Sequence, residues 1–145
     1  MQHLTIILFL VAVAPVISKI VPKTFYARAT AVFVCYNSPV EAATAFVAIV
    51  DDEYNPLHLD HLYQTPNGEF DYTTHVDVEP DVFDKSFKKP KFFLRKHFDC
   101  GCGEVYNTPY IPEGRYYETE AEAIEKPYNY GIIELSFCRE EDNAE

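Results

Sequence analysis

The chain has 145 residues, 12 Lys+Arg against 23 Asp+Glu for a net charge of −11, four Cys and no Trp. That length fits one domain, and 48% apolar with 15% aromatic residues excludes a disordered polymer while supplying a core. The acidic excess repels phosphates, so nucleic acid is not expected as a partner.

Residues 6–17 (IILFLVAVAPVI) form an uncharged apolar run. It falls short of the roughly 20 residues a membrane helix needs and has the length of a secretory signal h-region. Val16-Ile17-Ser18 puts small residues at −3 and −1 of a cleavage site. Residues 1–18 are therefore expected to be a cleaved signal peptide, with residues 19–26 a lead-in, residues 27–138 the domain and residues 139–145 a charged tail. No later run is long enough to span a bilayer, so the mature chain is expected to be secreted, in the extracellular region or at the cell surface.

Apolar residues then recur with a period near two in short segments bounded by turns, the signature of strands. Residues 29–36 (ATAVFVCY) stop at Asn37-Ser38-Pro39, and residues 44–50 (TAFVAIV) stop at Asp51-Asp52-Glu53. PLHLDHLY reads as loop or strand. Thr65-Pro66-Asn67-Gly68 is a turn with Gly68 free to take positive φ, ahead of a strand at 69–74. In residues 91–98 (KFFLRKHF), Phe92, Leu94 and Phe98 alternate with Phe93, Arg95 and His97. After the CGCG kink come residues 104–111, a short acidic helix at 118–126, and a last strand at 128–138. About seven strands with turn spacers imply an all-β sandwich.

The cysteine count is even, as disulfides in an oxidising compartment require. Cys100 and Cys102 flank only Gly101, too small a ring to close comfortably, which leaves two cross-pairings. Cys35–Cys100 with Cys102–Cys138 is preferred over the alternative. A four-thiolate zinc site lacks its usual C-x₂₋₄-C knuckles.

Three stretches in order carry a wider likeness: VFVCYNSPVEAATAFVAIVDDE, then YQTPNGEF at 63–70, then YGIIEL at 130–135. With PKFFLRKHFDC at 90–100 and Tyr110-Ile111-Pro112, the chain resembles the nematode transthyretin-like family over residues 27–138. Phe98 stands beside Asp99-Cys100 where the family often has His, and His97 lies one residue earlier. The resemblance implies a secreted, transthyretin-like Greek-key β-sandwich with no established catalytic centre, in a family associated with extracellular and cell-surface roles, some members binding lipids. The related fold of 5-hydroxyisourate hydrolases needs a first-strand His and a C-terminal Tyr-Arg-Gly-Ser, and residues 29–36 and the REEDNAE end provide neither.

No nucleophile elbow, phosphate-cradling glycine loop or N-glycosylation sequon occurs in the sequence. No catalytic residue, cofactor or metal site is therefore assigned. His58, Asp60 and His61, with His75, and the alternating Asp77, Glu79 and Asp81 are weighed as metal ligands and read instead as solvated side chains.

One segment departs from the acidic balance. Six of the twelve basic residues, Lys85, Lys88, Lys89, Lys91, Arg95 and Lys96, lie in KSFKKPKFFLRK among Phe87, Phe92 and Phe93. Basic heads beside aromatics suit an anionic phospholipid surface, and such residues equally protect a solvated strand edge. Six tyrosines between Tyr106 and Tyr130 suit an interface or the half-buried face of a sandwich. The expected function is a non-enzymatic extracellular binding protein for a protein or lipid ligand. The alternative is a carrier enclosing a small apolar molecule, which needs an apolar pocket of about 300 Å³ or more. A filled interior favours surface recognition.

Overall fold

In a computed structural model that describes residues 21–53 and 56–137, the described residues form eight strands, a 3-10 turn at Pro66–Gly68 and one short α-helix. The strands and the α-helix are β1 (Lys23–Cys35), β2 (Ser38–Pro39), β3 (Thr44–Val50), β4 (Leu57–Tyr63), β5 (Glu69–Val78), β6 (Lys91–His97), β7 (Val105–Asn107), α1 (Glu120–Glu125) and β8 (Tyr128–Glu134). One sheet places β1 between β5 and β8, with β2 continuing on the β5 side of β1; the other runs β4-β3-β6-β7. Every pairing is antiparallel except that of β8 with β1. The expected all-β sandwich is therefore observed.

The two inner faces interlock by size. β1 turns Ala27, Ala29 and Ala31 inward between Phe25 and Phe33, and these small side chains leave room for Phe46 and Ala48 of β3, Phe70 of β5 and Phe92 and Leu94 of β6. Phe33, Phe46, Phe70, Phe92 and Leu94 are at most 1% exposed. Burial of each contributes roughly 1.5–3 kcal/mol, and Phe46 meets Phe70 and Phe92 edge-on. One side of the sandwich is closed by β4 against β5, where Tyr63 stacks on Tyr72 with centroids 4.4 Å apart and donates to the Thr73 carbonyl.

Several element boundaries shift from the sequence reading. β1 begins at Lys23, so residues 23–26 of the expected lead-in belong to the sandwich, paired with Val78 to His75. The segment expected as a strand over 104–111 is a strand only at Val105–Asn107, because Pro109 and Pro112 interrupt the ladder. Even so, the Thr108 and Ile111 amides still donate to the Leu94 and Phe92 carbonyls. The HLDH segment is a strand, β4.

Two turns are held by backbone geometry that few residues accept. Tyr36 and Asn37 both have positive φ, as a two-residue hairpin turn between β1 and β2 requires. The Glu134 carboxylate accepts from both of their amides and from Ser136. Gly68 has φ +73°, and a Cβ there would stand 2.4 Å from the Phe33 carbonyl oxygen. The expected glycine turn is therefore also a close backbone crossing.

Cys35 is bonded to Cys100, the first of the two preferred pairs. The second, Cys102–Cys138, ends on a residue outside the described set, as does the expected signal segment 1–18. Thr119 caps α1, accepting from the Glu122 amide and donating to its carboxylate. The helix lies against β1 and β5 and buries Ala123. Arg28 fixes it, donating to the Ile124 carbonyl while forking onto both oxygens of Asp71.

Candidate functional site: a cleft at the end of the sandwich

The basic segment does not form one anionic-ligand surface. Strand alternation puts Lys91, Phe93 and Arg95 on the outer face of the sheet, where Phe93 is buried against Ala45 and Val47, and Phe92, Leu94 and Lys96 on the inner face. Lys89 is 2.6 Å from Glu113, Lys91 is 2.5 Å from Asp51, and Arg95 bonds Asn107 and lies 3.7 Å from Asp60. Lys96 is fully buried and leaves the candidate set altogether. Its ammonium donates to the Val40 and Ala42 carbonyls and to Thr65 Oγ1, and it lies over the Phe33 ring. Desolvation lowers its pKa to about 8. Lys85 and Lys88 stay exposed near the Asp81 turn.

The weighed metal ligands are likewise dispersed. His58 and Asp60 point outward from β4 and lie 3.1 Å apart, whereas His61 takes the other face and meets the His75 ring at 6.3 Å. Asp77 accepts from the Thr24 hydroxyl, and Asp81 accepts from the Phe83 and Asp84 amides within its own turn. Among the described residues no group of three or more His, Cys, Asp or Glu could hold a metal ion.

The structure gathers a different set at the end of the sandwich where β1 begins. A cleft of about 620 Å³ is lined by Lys23 and Phe25 of β1, Phe87 and Lys89 ahead of β6, and Glu113, Tyr116, Tyr117, Glu118 and Glu122 ahead of and within α1. The residues meet because the Tyr26 and Tyr117 backbones bond to each other in both directions, drawing the 113–119 segment alongside β1. Phe25, Phe87 and Tyr116 provide aromatic walls, with Phe25 and Tyr116 edge-on at 6.0 Å and Phe92 behind Tyr116 at 5.5 Å.

Charge on the rim is organised in pairs. Lys23 is 2.5 Å from Glu118 and lies over both Phe25 and Phe87 at 5.4 and 5.8 Å, while Lys89 pairs with Glu113. Glu113 raises the Lys89 pKa through their hydrogen bond. The Tyr116 hydroxyl is shielded from solvent and has no hydrogen-bond partner among the described residues; burial, then Glu113, raises its pKa. The arrangement can hold an apolar body against rings while offering charges of both signs at the edge.

Sequence reasoning singled out Lys89 as a basic candidate and named Phe87 and the tyrosine cluster without joining them. Lys23, Phe25, Glu113 and Glu118 carried no signal, since the cleft draws on three separate stretches. A second groove, of about 520 Å³, lies between the ends of β7 and β8 and is lined by Tyr106, Pro109, Tyr130, Ile132 and Phe137. There Tyr130 donates to the Pro109 carbonyl.

No protein-family model, curated protein or solved structure matches the chain.

Proposed function

We propose that the chain is a secreted, non-enzymatic binding protein, a transthyretin-like β-sandwich of the extracellular space or cell surface, and that it engages its ligand at its surface. The observation that carries this reading is the contrast between a filled interior and an open rim. Phe33, Phe46, Phe70, Phe92 and Leu94 occupy the space between the sheets, whereas the cleft over Phe25, Phe87 and Tyr116 is open and edged by charge. The cleft sets aromatic rings beside five charged side chains, convergent groups of the kind that orient a ligand. The apolar run at residues 6–17 supports secretion, and the two-sheet architecture is compatible with the family resemblance.

The test is recovery of the full chain from the medium of secreting cells, with Lys19 at its N-terminus, followed by NMR titration with extracellular fluid. Shifts are expected at Phe25, Phe87 and Tyr116. Shifts confined to Phe46 and Phe70 would show enclosure between the sheets and overturn surface recognition.

A second reading, recognition of anionic phospholipid, is favoured by the Asp81 turn. It exposes Val82 and Phe83 at 67% and 77% close to the exposed Lys85 and Lys88. Co-sedimentation with phosphatidylserine vesicles should weaken when Lys85 and Lys88 become Glu, and equal binding to neutral vesicles sinks this reading.

A further inference from the structure

The cleft has a chemical preference that its pairing pattern defines. We infer that it is a site for a small cationic arylalkylamine, an aromatic ring carrying a protonated amine on a short chain. The inference rests on the surface-binding function proposed above and names the ligand class for it.

Two observations converge. First, part of the wall is aromatic: Phe25, Phe87 and Tyr116 line the cleft, with Phe25 and Tyr116 edge-to-face at 6.0 Å. The Lys23 ammonium lies over the Phe25 and Phe87 rings, a cation–π contact already made within the protein.

Second, the charge balance in the cleft is acidic. Two ammonium groups, Lys23 and Lys89, face three carboxylates, Glu113, Glu118 and Glu122. Both lysines are held by carboxylates at 2.5 and 2.6 Å, so an anionic ligand would have to break an existing pair. Among the described residues the Glu122 carboxylate accepts only the Thr119 hydroxyl and pairs with no lysine. A ligand ammonium gains from that carboxylate without breaking anything, and the net charge of −11 steers cations toward the chain.

The absence of Trp makes the test direct, because an indole probe emits against a nearly dark protein. Tryptamine is titrated into the full chain and followed by fluorescence anisotropy, with indole-3-acetate, the same ring bearing a carboxylate, as the comparison. Saturable tryptamine binding is expected, with indole-3-acetate weaker by about tenfold or more, the scale of one well-placed cation contact. The Glu118→Gln, Glu122→Gln double variant should reverse this order, and Phe87→Ala should weaken both probes. Reversal of order within one folded protein cannot come from unfolding. Equal binding of the two probes to the unaltered chain, absence of saturable tryptamine binding, or an affinity unchanged in Phe87→Ala overturns the inference. If tryptamine fails while extracellular fluid still shifts Phe25, Phe87 and Tyr116, the ligand class alone is wrong; if both fail, the surface-binding function falls with it.

Discussion

Lys96 donates to Thr65 Oγ1 over 2.7 Å, tying β6 to the turn that follows β4 from inside the protein. Its other acceptors, the Val40 and Ala42 carbonyls, are also neutral. The ammonium is thus desolvated without a carboxylate to compensate it, which is why its pKa falls to about 8.

A pH dependence follows. A lysine whose folded pKa lies below its ordinary 10.5 binds fewer protons when folded, so between about pH 8 and 10.5 stability rises with pH from this group. Below pH 8 its charge opposes folding in full. Urea denaturation of the native chain and of Lys96→Met at pH 7, 8 and 9.5 should show the native chain gaining on the variant as pH rises. A constant difference would refute the account.

Glu134 works in the opposite sense. Hydrogen bonds from Ser136, Asn37 and Tyr36 hold its carboxyl down at about 2, against an ordinary 4.5. Its stabilisation is therefore complete above about pH 4.5 and is lost as pH falls through about 2. Glu134→Gln is expected to melt below the native chain at pH 6, with the gap closing toward pH 2. Amide exchange should rise first at Tyr36 and Asn37.

Gly68→Ala places a methyl 2.4 Å from the Phe33 carbonyl oxygen at φ +73°. The strained conformation costs about 1–3 kcal/mol, and the clash adds to it. A urea midpoint within error of the native value would contradict this. Asn67→Gly, at a neighbouring positive φ with no such crossing, should be nearly neutral.

The Cys35–Cys100 bond spans a sequence separation of 65 residues. In the chain-entropy model a loop of that size contributes about 4 kcal/mol, so the Cys35→Ala, Cys100→Ala double variant should lose roughly that amount in chemical denaturation.

Much of the fold was legible where alternation was strong and side chains large. β3 matches residues 44–50 to the residue, and the Asn67-Gly68 turn follows from local chemistry, whereas Cys35–Cys100 was one of two open pairings and was only preferred. The start of β1 was hidden because residues 23–28 (KTFYAR) put only Phe25 and Ala27 on the inner face, too short and mixed a run to read as a strand. β4 was ambiguous because it is an edge strand, with His58, Asp60 and Leu62 exposed on one face. The burial of Lys96 could not be read locally at all. Lysine normally marks surface, and the groups that accommodate it lie 31 to 56 positions away. The cleft was illegible for the same reason, as Lys23 and Glu118 meet only through the Tyr26–Tyr117 bridge.

The parallel pairing of β8 with β1 joins the last described strand to the first, from Ala29–Tyr128 to Val34–Glu134. The fold therefore has a high contact order, and folding is expected to be slow for its length. During synthesis, β1 must wait with one ladder edge open until almost the whole chain has left the ribosome. A nascent chain stalled before Tyr128 would display that edge as a template for aberrant pairing.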